Sequence, residues 1–278
     1  PVTLIHAQPF LFPFVDQEIS HLLQQAMQSM GVHLLLPDRL IETAVAPNGS
    51  ELTVVLGSGV RLITDAMLVA VGRASNTESL HLERAGIAVE ARGRIQVNQF
   101  YQTDVPHIYA VGDVIGFPAL ASTAMEQGRL AVTHAFKLPY RTDTRDHVPY
   151  GIWTIPEISM VGETEQTLQS KGVPYIVGRA QYQRNARGMV LADRVGLLKL
   201  IFSESDLTLL GIHIIGEDAC ELIGVGLLAL ESHTSAYQLI DLCFNFPSLT
   251  EMYKYAAYDA LGTYRTKGGV MPAHQPLA

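Results

Sequence analysis

The sequence predicts an α/β protein built from two incomplete α/β units and a C-terminal α+β unit. In the first half, short apolar runs typical of strands alternate with apolar residues at helical spacing. That half supplies fewer strands than a complete parallel sheet needs. After a polar, proline-containing stretch at residues 137–150, strands and helices resume in a mixed order. These three observations set the fold class.

The first unit begins with a short apolar strand at Val2–Ile5. Residues 16–30 carry apolar side chains at helical spacing, and residues 31–36 form a second apolar run. An antiparallel meander then interrupts the pattern, because Asn-Gly and Gly-Ser-Gly sequences typical of hairpin turns separate short apolar runs. Its strands are predicted at residues 41–45, 51–56 and 61–63.

Residues 66–71 form a continuous apolar run, which predicts a strand buried on both faces. Residues 103–136 follow with a short apolar run, the pair Gly112-Asp113, a loop with Gly and Pro, and a helical pattern from about Ala121.

The last unit reads as a mixture of strands and helices. Strands are predicted within residues 151–162, 174–182, 196–202 and 207–216, and helices at residues 163–172, 219–231 and 250–261. The tail from Lys267 is predicted to be disordered.

The composition argues against several classes of function. The chain has 278 residues, enough for one large domain or two ordinary ones, and 48% hydrophobic with 17% charged residues is typical of a well-packed protein. The net charge of −8, without a Lys/Arg run, argues against nucleic-acid or anionic-membrane partners. No apolar run approaches the ~20 residues that span a bilayer. The histidines show no metal-ligand spacing, so no metal site is predicted.

Two cysteines, Cys220 and Cys243, lie far apart without C-x-x-C spacing. Free thiols in a reducing cytoplasm are therefore expected.

The pair Gly112-Asp113 is the strongest candidate site. In open α/β sheets, ligands bind beyond the carboxyl ends of the strands. Gly112 permits close backbone approach, and the Asp113 carboxylate accepts hydrogen bonds from a ribityl or sugar hydroxyl. Thr123 and Glu126 have capping-box spacing, and the helix start favours negative charge. The residues alone fit a Gly-Asp turn before a well-capped helix equally well.

The sequence "TDVPHIYAVGDV", residues 103–114, resembles the second flavin-binding motif of the flavoprotein oxidoreductases with two dinucleotide-binding domains. Lipoamide dehydrogenase and glutathione reductase belong to this family. "LVAVGR", residues 68–73, resembles the strand that leaves the family's NAD(P) domain. Residues 151–165 and 209–223 resemble its interface domain, so the resemblance covers nearly the entire chain.

This resemblance implies partial NAD(P)-binding and FAD-binding Rossmann-like units, followed by an α+β interface domain that forms a homodimer. The implied boundaries are residues 1–72, 73–140 and 147–265. Asp113, with Gly112 beside it, is expected to bind the FAD ribityl chain, and Gly72 to lie close to the nicotinamide dinucleotide. The backbone expected to face the N1/C2 edge of the flavin is that of Leu120, Ala121, Ser122 and Thr123.

One segment departs from the family's disulfide reductases. Those enzymes carry a His-Pro pair and a following Glu that serve a redox dithiol. Here Pro247 and Glu251 are present but Phe246 occupies the His position, and phenylalanine cannot transfer protons. No C-x4-C dithiol occurs in this chain, although the resemblance implies that it would lie in an N-terminal part expected to be missing here. Dithiol–disulfide chemistry is therefore disfavoured. We therefore predict FAD-dependent hydride transfer between NADPH and NAD⁺, with no catalytic side chain, since the cofactor carries the chemistry. Alternatively, Phe246 is a core aromatic at a helix entry.

The first strand ends in His6, Ala7 and Gln8, which offer neither the acid typical of NAD selectivity nor the Arg typical of NADP selectivity. His6 either contacts the nucleotide or is a solvated loop residue. Both Gly-rich phosphate loops of the family are absent, so we expect a fragment that binds FAD poorly and is inactive alone.

Two alternatives stay open at this point: a disulfide reductase similar to dihydrolipoamide dehydrogenase, and a dimerisation module without a cofactor. A flavin absorption band excludes the second.

Overall fold

The computed structural model describes residues 1–140 and 147–268. They divide into two compact units, one formed by Pro1–Met67 with the segment from Pro149 onward, and the other by Leu68–Val148. Part of the predicted linker and nearly all of the predicted disordered tail lie outside the described residues. Within the described part, no helix combines the length and apolar character needed to cross a membrane.

The first unit opens with a β-α-β arrangement, as predicted. Strands β1 (Val2–Ile5) and β2 (Val32–Leu35) pair in parallel, and helix α1 (Gln17–Ser29) connects them. The Asp16 side chain caps α1 by accepting a hydrogen bond from the Glu18 amide.

The predicted antiparallel meander follows and is also confirmed. Its strands are β3 (Leu40–Val45), β4 (Leu52–Leu56) and β5 (Arg61–Thr64).

The second unit consists mainly of loops and short 3₁₀ turns around helix α2 (Ala121–Ala135). Ile87, Ile95 and Ala110 form its small buried core. One 3₁₀ turn, Gly112–Ile115, stands where the candidate site is predicted.

The predicted strand at residues 66–71 is wrong. These residues have no strand assignment, and Leu68 and Val71 are 92% and 93% exposed. A strand requires a hydrogen-bonded neighbour, and none of the sheets in the described residues includes this segment. The apolar run at residues 107–111 makes one isolated bridge, between Gln102 and Tyr109.

The rest of the first unit is a five-stranded antiparallel sheet in the order β6-β7-β10-β9-β8. Its strands are β6 (Tyr150–Ile152), β7 (Ile158–Gly162), β8 (Tyr175–Gln181), β9 (Leu197–Ser203) and β10 (Leu209–Ile215). Its helices are α3 (Glu165–Lys171), α4 (Ala186–Leu191), α5 (Ala219–Glu231), α6 (Ala236–Asp241) and α7 (Met252–Thr266). The short helices α4 and α6 were not predicted.

The sheet is buried on both faces, since different elements cover each side. On one face, α5 and α7 pack over Leu198, Leu200 and Ile214. On the other face, Ile19 and Leu23 of α1 pack against a second apolar cluster. That cluster includes Ile158, Met160, Leu197 and Ile215.

Candidate functional site

Gly112 occupies a backbone conformation that disfavours other residues. Its φ is +78°, and a Cβ there would stand 3.3 Å from the Cβ of Ala124 on α2. The Gly112 amide donates a 2.7 Å hydrogen bond to Oε1 of the buried Gln127. Helix α2 therefore fixes the start of the Gly112–Ile115 turn.

The carboxylate of Asp113 is half exposed and points to an accessible surface. Its Oδ2 lies 3.4 Å from Nη1 of Arg73, whose side chain is largely exposed. An exposed pair at this distance contributes ~0–1 kcal/mol, so a ligand hydroxyl competes with it at little cost. Arg73 follows Gly72, which is exposed at φ +133° with open space where a Cβ would be.

The start of α2 differs from the predicted capping box. Leu120 is the N-cap and its side chain makes no capping hydrogen bond. Thr123 is the third residue of the helix, and its hydroxyl donates to the carbonyl oxygens of Leu120 and Pro118. Glu126 pairs with Arg129 instead. The capping-box prediction is wrong because the helix begins three residues earlier than that pattern requires, with Leu120 and not Thr123 as its N-cap.

The start of α2 still offers free backbone amides to a ligand. Ala121 and Ser122 are exposed, and among the described residues no side chain is seen to cap the first amides of α2. Unpaired N–H groups and the helix dipole favour a negatively charged or hydrogen-bond-accepting group at such a position.

His6 lies in the first unit, directly after β1. Its backbone amide donates to the carbonyl of Leu35, and its carbonyl accepts from the Asp38 amide. Its Nε2 is buried and has no hydrogen-bond partner among the described residues. His6 is therefore not a fully solvated loop residue, and its ring retains hydrogen-bonding capacity.

Phe246 is 72% exposed, so the alternative of a core aromatic is wrong. The residue lies in the connection between α6 and α7. Glu251 is the N-cap of α7 and accepts a 2.9 Å hydrogen bond from the Tyr255 hydroxyl.

Two residues of the site were missed from the sequence. Arg73 could have been found, because it immediately follows Gly72 in the segment "LVAVGR". Gln127 carried no signal, since a glutamine inside a helical pattern has no specific meaning until its contact with Gly112 is known.

Family comparisons cover most of the chain. Residues 1–128 match the model described as pyridine nucleotide-disulphide oxidoreductase, and residues 148–257 match the dimerisation domain of the same family.

Curated relatives include soluble pyridine nucleotide transhydrogenases from Mycobacterium bovis (strain BCG / Pasteur 1173P2) and Enterobacter sp. (strain 638). Each is 41% identical, over 95% and 94% of the chain respectively. The chain spans 56% of the length of each relative.

Solved structures of similar fold include two bacterial proteins. The crystal structure of LpdA from Mycobacterium tuberculosis superposes with a TM-score of 0.83 at 27% identity, over 93% of this chain and 56% of that one. The HOCl-induced flavoprotein disulfide reductase RclA from Escherichia coli superposes with a TM-score of 0.85 at 28% identity, over 92% of this chain and 59% of that one.

Proposed function

The chain belongs to the pyridine nucleotide-disulphide oxidoreductase family. On this basis we propose that the protein containing this chain transfers hydride between NADPH and NAD⁺ through FAD. The observation that carries this proposal is the segment Phe246-Pro247, which has no proton-transferring side chain at the position where disulfide reductases of the family place one. The relatives named transhydrogenase support it at 41% identity.

The residues of the second unit fit part of an FAD molecule. Gly112 lacks the Cβ that would obstruct close approach, and the half-exposed Asp113 carboxylate accepts a hydrogen bond from a ribityl hydroxyl. The uncapped amides at residues 120–123 suit the N1/C2 edge of the flavin. When bound, FAD supplies the group that accepts and donates hydride.

Gly72 and His6 are proposed contacts for the nicotinamide nucleotides. Gly72 offers an exposed backbone without a side chain, and His6 offers a ring nitrogen without a partner among the described residues. Ala7 and Gln8 carry no charge that selects for or against a 2′-phosphate. This neutrality suits a protein that accepts both NAD and NADP.

We further propose a cytoplasmic homodimer that associates through residues 147–265. The match of residues 148–257 to a dimerisation domain supports this assembly. The domain boundaries at residues 1–72 and 73–140 remain predictions.

Disulfide reduction is the second candidate function, because RclA is described as a flavoprotein disulfide reductase. The presence of Phe246 disfavours it.

The two functions separate in one experiment on the purified full-length protein. We expect a flavin absorption band and reduction of a thio-NAD analogue by NADPH. Robust lipoamide or glutathione-disulfide reduction without thio-NAD reduction would overturn the proposal. A protein that contains no flavin and reduces neither substrate would favour the dimerisation module.

A further inference from the structure

Lys199 is a fully buried lysine in the middle of β9. Its ammonium lies 2.7 Å from Asp16 and 2.8 Å from Glu18, and it also donates to Glu165. Burying an ammonium costs several kcal/mol unless it is paired and hydrogen-bonded. Three carboxylate partners meet that requirement, and they come from the α1 N-cap, the first turn of α1 and the start of α3.

The surrounding charges keep this cluster ionised. Burial is the largest single influence and lowers the pKa of Lys199, but Asp16, Glu165 and Glu18 together outweigh it and the pKa is raised. Burial tends to raise the pKa of Asp16, yet His213 and Lys199 together lower it. Burial also lowers the pKa of His213, and the Asp16 carboxylate opposes that effect.

Arg179 of β8 completes the arrangement. Its guanidinium makes two hydrogen bonds to the Glu18 carboxylate, at 2.8 and 2.9 Å. Such bidentate geometry fixes orientation as well as distance. The N-terminus of α1 is therefore attached to two neighbouring strands of the sheet.

This attachment lies at the C-terminal end of the loop between β1 and α1. The loop starts with Ala7 and Gln8, directly after His6, and ends at Asp16. Leu11 and Val15 are buried in the apolar cluster shared with the sheet, and Ser20 of α1 donates a 2.6 Å hydrogen bond to the Leu11 carbonyl. The second half of the loop is thus anchored, and its anchored end is the residue that Lys199 binds.

We propose that Lys199 is a positioning residue for nucleotide recognition, because it holds Asp16 and thereby the loop that carries Gln8 against the sheet. This inference rests on the proposed function for its effect on nucleotide binding. Its effect on the loop itself does not depend on that function.

Asp16→Asn is the most informative variant. Asparagine is as good an N-cap as aspartate, so α1 stays capped while the charge that Lys199 binds is removed. Lys199→Met is the second variant, and Lys199→Arg tests rescue by retained charge. Lys171→Met is the matched control, since Lys171 pairs with Glu163 at the surface.

Hydrogen exchange of the full-length protein decides the structural part. We expect amide exchange across residues 7–15 to accelerate about tenfold or more in Asp16→Asn, equivalent to ~1.4 kcal/mol of lost local stability. Exchange in Lys171→Met should match the parent. Unchanged exchange at residues 7–15 in both Asp16→Asn and Lys199→Met overturns the proposal, whatever the enzyme's activity.

Steady-state kinetics decide the functional part. In Asp16→Asn we expect the KM for NADPH and NAD⁺ to rise about tenfold, with kcat within about twofold of the parent value. This result is expected when a variant loses interactions that bind the substrate and the transition state equally well. Lys199→Met should raise the KM in the same way, and Lys199→Arg should keep it closer to the parent value than Lys199→Met does. A looser loop with unchanged KM in an active enzyme overturns the positioning role. Absence of nucleotide activity in the parent refutes the proposed function instead, while the exchange result still decides the loop's anchoring.

Discussion

Gly178 of β8 and Ala260 of α7 approach so closely that a Cβ on Gly178 would stand 2.8 Å from the backbone nitrogen of Ala260. Because that neighbour is backbone, Gly178→Ala must displace α7, and we expect the free energy of unfolding to fall by ~1–3 kcal/mol. Gly224→Ala in α5 is the control. Nothing lies within 4 Å of its added Cβ, so it should stabilise by ~0.5–1 kcal/mol. Urea unfolding measures both, and equal effects would contradict the packing argument.

Asp113→Ala should weaken FAD retention more than folding. The lost charge-assisted hydrogen bond is worth ~1.5–3 kcal/mol, whereas the exposed pair with Arg73 contributes ~0–1 kcal/mol. Flavin absorbance after extended dialysis, together with Tm, measures the two effects. Asp104→Ala, an exposed acid of the same unit, is the control. The assignment fails if Asp113→Ala keeps its flavin as well as this control does.

Phe246→His should create no disulfide reductase activity, because this chain has no C-x4-C dithiol that an added acid/base could serve. Hydride transfer should stay within about tenfold, or ~1.4 kcal/mol of barrier, since it needs no proton from this side chain. The exposed position predicts a stability change within ~0.5 kcal/mol. Assays with NADPH and thio-NAD, and with lipoamide, test this. Any gain of disulfide turnover argues for the reductase function.

The sequence predicted those helices and strands whose apolar residues repeat regularly within a single segment of the chain. The helix α1, the meander and the four segments that carry the strands of the large sheet follow from apolar spacing and turn residues within each segment. The division of residues 151–162 into β6 and β7 was not predicted. The strand at residues 66–71 failed because pairing depends on a neighbour that periodicity cannot supply. Lys199 was missed since its partners Asp16 and Glu165 lie 183 and 34 positions away in the chain. At the candidate site, the motif indicated Gly112 and Asp113. The capping of α2 could not be predicted, because it depends on the residue at which the helix begins, and the sequence pattern did not locate that residue.

His213 should make stability depend on pH. Burial lowers its pKa, while Asp16, Lys199 and the Glu163 carbonyl are its polar neighbours. The unfolded state therefore binds one more proton than the folded state as pH falls below ~6.5, and stability decreases, by at most ~1.4 kcal/mol per pH unit for one group. His213→Gln should reduce this slope between about pH 5 and 6.5. His33→Gln, at an exposed site, should leave it unchanged.

At lower pH the two acids of the cluster dominate. The pKa values of Asp16 and Glu18 are lowered despite their burial, by His213 and Lys199 for Asp16 and by Arg179 and Lys199 for Glu18. Their stabilisation is present above the unfolded-state values of ~4 and is lost as pH falls through the lower folded-state values. Urea unfolding from pH 3 to 8 gives the free energy of unfolding in both pH ranges. A free energy that does not change with pH would contradict the roles assigned to His213, Asp16 and Glu18.

Cys220 should react slowly with alkylating agents. Burial, assisted by the Glu157 carboxylate, raises its pKa from 9.0 to about 11, so the thiolate fraction falls about 100-fold. We expect iodoacetamide at pH 8 to label exposed Cys243 first, with Cys220 reacting at a normal rate only in urea. Mass spectrometry of each cysteine peptide gives the rates, and equal labelling in the folded protein would contradict this assignment.

The ion cluster around Lys199 also constrains how this sequence can diverge. Replacing Lys199 alone leaves the buried Asp16 carboxylate, and Glu165 beside it, without the ammonium that pairs with them. Such a loss typically costs about 3–5 kcal/mol, a large part of a domain's total stability. Replacement of Lys199 alone should therefore be removed by selection. Substitutions that exchange the lysine and its acids together for apolar residues can be neutral. The three positions are expected to change as a group between lineages, although they lie in three distant segments of the chain.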